Sequence, residues 1–270
     1  MEIEDKNIFF SYALPCLENP KKKIKIGREE VRRLLFLHEF GEKIPDGNEK
    51  LFEVALFYLK KIAKKMGKKK IDKEVIRRYF LKEHNKIPGI REKCKVKFGK
   101  VLKVGKNPLV KVCGKVKKYR SFLDVRTGDA VVIHWNYIVD KPEKIKILVF
   151  GNPLLKENNV AINIAKKLKH ELPWINFTFF DVVENLEKEG KNLIIMDVAK
   201  GIKNVEIIED FKRIKREKIF SMHDFDLSFE LRILKRLGLI ESFKIICIPI
   251  SKKKNIVQKL VNLLSDPSNL

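Results

Sequence analysis

Residues 144–159, KIKILVFGNPLLKENN, decide the fold of the C-terminal half. A short apolar run (Ile145, Ile147, Leu148, Val149, Phe150) stops at Gly151-Asn152-Pro153. A helical pattern opens near Asn158, with Val160, Ile162, Ile164, Ala165 and Leu168 as its apolar positions. Strand, tight turn and helix in that order form the opening unit of an open α/β sheet. Ligands of such sheets collect beyond the carboxyl ends of the strands, so the loop carrying Glu157 falls where chemistry is expected.

From Lys144 onward the alternation continues. FTFFD (177–181) and LIIMD (193–197) are apolar runs ending in an acid, VEII (205–208) is a further strand, and SMHDF (221–225) leads into a helix with Leu227, Leu231, Leu234 and Leu237. Residues 243–250 form the most apolar strand, and residues 255–264 a closing amphipathic helix. Right-handed crossovers then predict a doubly wound, mostly parallel sheet covered on both faces. Glu157, Asp181 and Asp197 lie at or just past strand ends, and His223 at a loop-to-helix junction. Carboxylates with an imidazole suit a divalent ion such as Ni²⁺ or Zn²⁺. Each acid taken singly also reads as a cap or turn residue.

The N-terminal half is built differently. Residues 1–27 read as an irregular, solvated lead-in. REEVRRLLFLHEF (28–40) predicts a helix with Val31, Leu34, Leu35, Leu37 and Phe40 inward, residues 51–66 a second, and residues 72–83 a third with Asp72 as its cap. In this reading His38 and His84 are surface or cap residues. After Pro88-Gly89 the period changes to two: CKVKFGKVLKV (94–104), LVKV (109–112) and AVVIHW (130–135) alternate between turns, which predicts a small β-barrel. The chain thus divides into a helical domain (1–90), a small barrel (91–143) and an α/β domain (144–270).

Composition narrows the function. Hydrophobic residues make up 44% of the 270, and no apolar run approaches the roughly 20 residues that span a bilayer. The acidic start MEIEDKNIFF lacks a signal-peptide pattern, so a cytoplasmic location is expected. The four cysteines (Cys16, Cys94, Cys113, Cys247) have no CxxC spacing, which argues against a disulfide framework or a structural zinc site. The net charge of +24 raises a basic RNA- or DNA-binding protein, with the barrel as reader, as a competing function. The excess is spread over the whole chain rather than gathered into a stripe, so compositional bias of a Lys- and Glu-rich, heat-adapted proteome accounts for it more simply. GNPLLKENN has one glycine and neither GxGxxG nor GxxxxGK[ST], so no phosphate cradle is predicted.

Two stretches carry resemblances. Cys94-x₄-Gly99-Lys100-Val101 followed by Gly128-Asp129-x-Val131-x-Ile133-His134 resembles the small hydrogenase-assembly chaperones of the HypC type, over residues 94–143. That resemblance implies that Cys94 and His134 hold or pass an iron–cyanide fragment destined for a nickel–iron site. Phe98 stands where the family has proline, and Cys94 is internal where the family's cysteine follows the initiator methionine. On the residues alone, Cys94 and His134 read first as remnants or core residues of a docking barrel.

Residues 145–250, through ILVFGNPLLKENN, LIIMD, SMHDFDLSFEL and FKIICIPI, resemble the nickel–iron hydrogenase maturation endopeptidases. The implied function is cleavage of a C-terminal extension from the nickel-loaded hydrogenase large-subunit precursor, with nickel supplied by that substrate and no resident cofactor. The implied metal-recognising residues are Glu157 or Asn158, Asp197 and His223, with Asp181 positioning water or peptide. Asn158 occupies the position of the family's metal-binding glutamate, which implies weaker metal affinity. The alternative is a non-catalytic assembly chaperone for the same precursor.

Overall fold

In a computed structural model the protein is described for residues 1–18, 26–151, 159–180, 185–211, 213, 220–221, 227–250 and 255–270. It is a mixed α/β chain of two compact units, one of residues 1–142 with 265–269, the other of 143–264 with Leu270.

In the second unit the parallel strands β7 (Ile145–Phe150), β8 (Ile175–Phe180), β9 (Asn192–Lys200) and β12 (Ser242–Pro249) lie in the order β12-β9-β7-β8. β10 (Glu206–Ile208) and β11 (Phe220–Ser221) add antiparallel to β12 and β9. Reversal of strand order at β7 and β9 makes the switch point expected of a doubly wound sheet. The helices are α5 (Val160–Leu168), α6 (Leu227–Arg236) and α7 (Ile256–Leu264). α6 sets Leu227, Leu231 and Leu234 at i, i+4, i+7 against Leu193, Ile195, Phe243 and Ile245. α5 packs on β7, β9 and α7, and the buried residues of α5 and α7 lie outside that cluster.

The first unit interleaves helices with a six-stranded sheet: β1 (Lys97–Lys103), β2 (Leu109–Val112), β3 (Lys115–Lys118), β4 (Arg120–Ser121), β5 (Ala130–His134) and β6 (Tyr137–Asp140), in the order β3-β2-β1-β5-β6-β4. Alternation buries Val101, Val110, Val112, Val131, Ile133 and Ile138 in one cluster. Cys113 and Gly114, both at positive φ (49° and 77°), make the two-residue turn between β2 and β3. Gly99 is where β1 approaches β2 closely: a Cβ there would stand 2.7 Å from Val110 Cγ1 and 3.2 Å from the Lys111 carbonyl oxygen.

The helices of this unit are α1 (Lys6–Ala13), α2 (Arg28–Glu39), α3 (Glu53–Lys65) and α4 (Lys73–Arg78). Asp72 caps α4, its Oδ1 accepting the Val75 amide at 3.0 Å. Two expectations are corrected here. The N-terminal residues are not a solvated lead-in: α1 and the 3₁₀ turn Leu14–Glu18 bury Phe9, Phe10, Tyr12, Leu14 and Leu17. Their apolar density outweighs the local disorder suggested by Pro15, which serves instead to end α1, since it has no N–H to continue the ladder. In α2 the inward face is Val31, Leu34, Leu35 and His38, while Phe40 is 66% exposed. That face follows the i, i+3, i+4, i+7 period, and His38 is accommodated by a 2.8 Å contact between its Nε2 and Ser11 Oγ.

Candidate metal centre

The residues expected to meet at the α/β sheet are mostly beyond reach of description: Glu157, Asn158, Asp181 and His223 lie outside the described residues. Asp197 is described and differs from the expectation. β9 runs on to Lys200, so Asp197 sits inside the strand, in register with Cys247 of β12, and is 3% exposed. Alternation puts it on the face of Leu193, Ile195 and Ala199, and its Oδ1 accepts the Val198 amide at 2.7 Å. The strand is longer than its apolar run because parallel pairing with β12 continues through Ala199.

In the first unit the structure brings together Cys94 and His134, the other predicted pair, with Cys16 and His84. The expectation of His84 as a surface or cap residue is corrected: it is 5% exposed, because its ring packs against Tyr79 and Phe80. His134 is the last residue of β5 and is fully buried. Cys94 ends a 3₁₀ turn (Glu92–Cys94) ahead of β1 rather than opening the strand. Cys16 lies in the 3₁₀ turn that follows α1. His84 follows a single π-helical turn, Tyr79–Glu83, at the end of α4. Such π-turns inside or after α-helices recur at functional sites.

The Sγ atoms of Cys16 and Cys94 and a ring nitrogen of His134 all lie within 4.8 Å of one another. His134 Nε2 is 3.6 Å from Cys94 Sγ and 3.7 Å from Cys16 Sγ, and His84 Nε2 is 3.9 Å from Cys94 Sγ. Bond lengths near 2.3 Å to sulfur and 2.0–2.1 Å to nitrogen put the S···N edge of a tetrahedral ion at about 3.6 Å, so these donors fit a thiolate–imidazole metal site.

Orientation is set by the surrounding backbone. His134 Nδ1 lies 2.7 Å from the Tyr12 carbonyl oxygen in the last turn of α1. A carbonyl has no proton to give, so Nδ1 carries the hydrogen and Nε2 turns its lone pair to the thiols. Asn85 works similarly on the other side. Its amide donates to the Val96 and Asp266 oxygens and its Oδ1 accepts the Val96 amide, each at 2.8 Å. That clamp ties the residue beside His84 to the segment just after Cys94. It also fixes Oδ1 as an acceptor 3.4 Å from His84 Nδ1, which leaves His84 Nε2 facing Cys94.

Aromatic rings pack the imidazoles in place. Phe80 stacks on Tyr12 at 4.7 Å and lies 5.5 and 5.9 Å from the rings of His84 and His134. Burial lowers the His84 pKa and so favours its neutral, ligating form. The Cys94 thiol has its pKa held well below the ordinary value, chiefly by the hydrogen bond from Cys16, against the opposing pull of burial. Cys113, in its hairpin turn, shifts the other way because burial raises it. Cys16, Cys94 and His84 line a cavity of about 510 Å³ whose walls include Phe52, Tyr79, Phe80 and Pro88.

Signals for Cys16 and His84 were present. His84 continues the stripe Ile76–Phe80 at i, i+4, i+8, which marks it as inward-facing. Cys16 falls within a dense apolar run. Spacing could not reveal the set, because its members are separated by up to 118 residues.

No protein-family model matches the chain, and neither a curated protein nor a solved structure matches it.

Proposed function

We propose that this protein is a metal-handling assembly factor of the hydrogenase-maturation type, whose first unit holds a soft divalent ion as cargo on Cys16, Cys94 and His134. The observation that carries the reading is the approach of two thiols and an oriented imidazole within 4.8 Å, at the edge of an open cavity. Thiolate and imidazole donors select ions such as zinc, iron, cobalt or nickel over calcium or magnesium. The sequence resemblance of residues 94–143 to assembly chaperones names the client class, a hydrogenase large-subunit precursor. A reducing cytoplasm suits the function, since metal ligation needs Cys16 and Cys94 as thiols rather than in disulfides.

The non-catalytic chaperone reading is favoured over the peptidase reading. Asp197, which recognition of a substrate-borne nickel would use, is buried within β9 rather than presented at a strand end. Incubation of the purified protein with nickel-loaded precursor tests the choice: binding without shortening is expected, and shortening of the precursor would return the account to a maturation endopeptidase. No helix among the described residues is long and apolar enough to cross a membrane.

A further inference from the structure

Three donors leave a tetrahedral ion one position short, and the structure offers a specific occupant for it. We infer that His84 is the fourth ligand of the ion and the one that an incoming donor displaces. The inference rests on the proposed metal site of Cys16, Cys94 and His134 and deepens it. His84 Nε2 faces Cys94 Sγ at 3.9 Å, and its ring stands at 79° to that of His134 with centroids 5.0 Å apart. Both imidazoles thus turn Nε2 to Cys94 Sγ with their rings nearly perpendicular, an arrangement open to the two nitrogen corners of an S₂N₂ tetrahedron.

Their second partners separate their roles. His134 is fully buried, does not line the cavity, and is fixed by a 2.7 Å bond to a main-chain carbonyl. His84 lines the cavity, and its Nδ1 partner is 3.4 Å away on an amide oxygen already accepting the Val96 N–H. The imidazole that gives way is the one with the longer bond and the open side. A cavity of about 510 Å³ admits a small monodentate anion or a donor side chain of a client. Asn85, holding both the His84 ring and the backbone beyond Cys94, keeps the vacated position beside the thiols.

Cobalt(II) titration of the full chain, read by visible absorption, tests this. The wild type is expected to bind one Co²⁺ with thiolate-to-cobalt charge transfer and intense tetrahedral ligand-field bands. His84→Ala should keep the charge transfer, lose about 100-fold in affinity or more, shift the ligand-field bands and recover them with free imidazole, since loss of a ligand costs at least as much as loss of a group that only orients one. Azide added to the wild type should alter the ligand-field bands saturably and leave the charge transfer in place. A His84→Ala protein matching the wild type in affinity and spectrum would overturn the fourth ligand, and an azide-insensitive wild type its displacement; the three-donor site survives both. Should His84→Ala not fold, His84→Gln gives the same comparison. Absence of charge transfer in the wild type would instead remove the underlying site.

Discussion

His134 Nδ1 and the Tyr12 carbonyl oxygen stand 2.7 Å apart, joining the end of β5 to the last turn of α1. The bond fixes which imidazole nitrogen meets the thiols. Tyr12 is itself anchored, because its hydroxyl donates to Asp140 Oδ2 at 3.0 Å and Arg77 grips both Asp140 oxygens at 2.7 and 2.9 Å. Removing one partner from such a mostly buried, bidentate pair costs about 3 kcal/mol or more. Asp140→Ala should therefore lower unfolding stability by about that amount and weaken metal binding as α1 loosens. Urea unfolding paired with a chelator-competition titration checks both; an unchanged titration would detach Asp140 from the site.

The thiols should divide by reactivity. Cys94 is held below its ordinary pKa and Cys113 above it, so at pH 6 iodoacetamide should label Cys94 and spare Cys113. Prior loading with Zn²⁺ should protect Cys94. Mass spectrometry of the digested protein locates the label, and preferential modification of Cys113 would contradict the electrostatics of the site.

The fold of the second unit was legible because periodicity is a local signal. The run from Ile145 to Phe150 and the helix from Val160 to Leu168 are where the pattern placed them. The first unit hid more. Leucine and phenylalanine spacing showed α2 and α3, but Phe40 broke the pattern outward and His38 inward. The candidate metal centre was half legible: Cys94 and His134 belong to recognisable sequence motifs, whereas Cys16 and His84 reach the site only through tertiary packing of the turn after α1 and of the π-turn. Nothing in a linear spacing encodes that approach.

His38 makes stability depend on pH. Burial lowers its pKa to about 4 in the folded protein, against 6.5 for the exposed side chain. Between those values the unfolded chain binds the proton more readily, so stability is full above pH 6.5 and falls as the pH drops towards 4, by up to about 3 kcal/mol. His38→Gln should flatten the dependence across that window. Urea midpoints at pH 7 and 4.5 decide it, and an equally steep fall in the variant would place the effect elsewhere.

Gly99 probes the packing of the sheet. A methyl group there meets both Val110 and Val112 side chains at under 3.0 Å, so β1 and β2 must move apart. Gly99→Ala is expected to destabilise the protein by about 1–3 kcal/mol, as overpacking does. Thermal unfolding measures it; a neutral outcome would mean the two valines can rotate away.

The most direct test is X-ray absorption on zinc-loaded full-length protein, compared with Cys16→Ser and Cys94→Ser variants. The account predicts two sulfur neighbours at about 2.3 Å and imidazole nitrogens at about 2.0 Å, with one sulfur lost in each variant. A shell of oxygen and nitrogen alone, unchanged by either substitution, would contradict it.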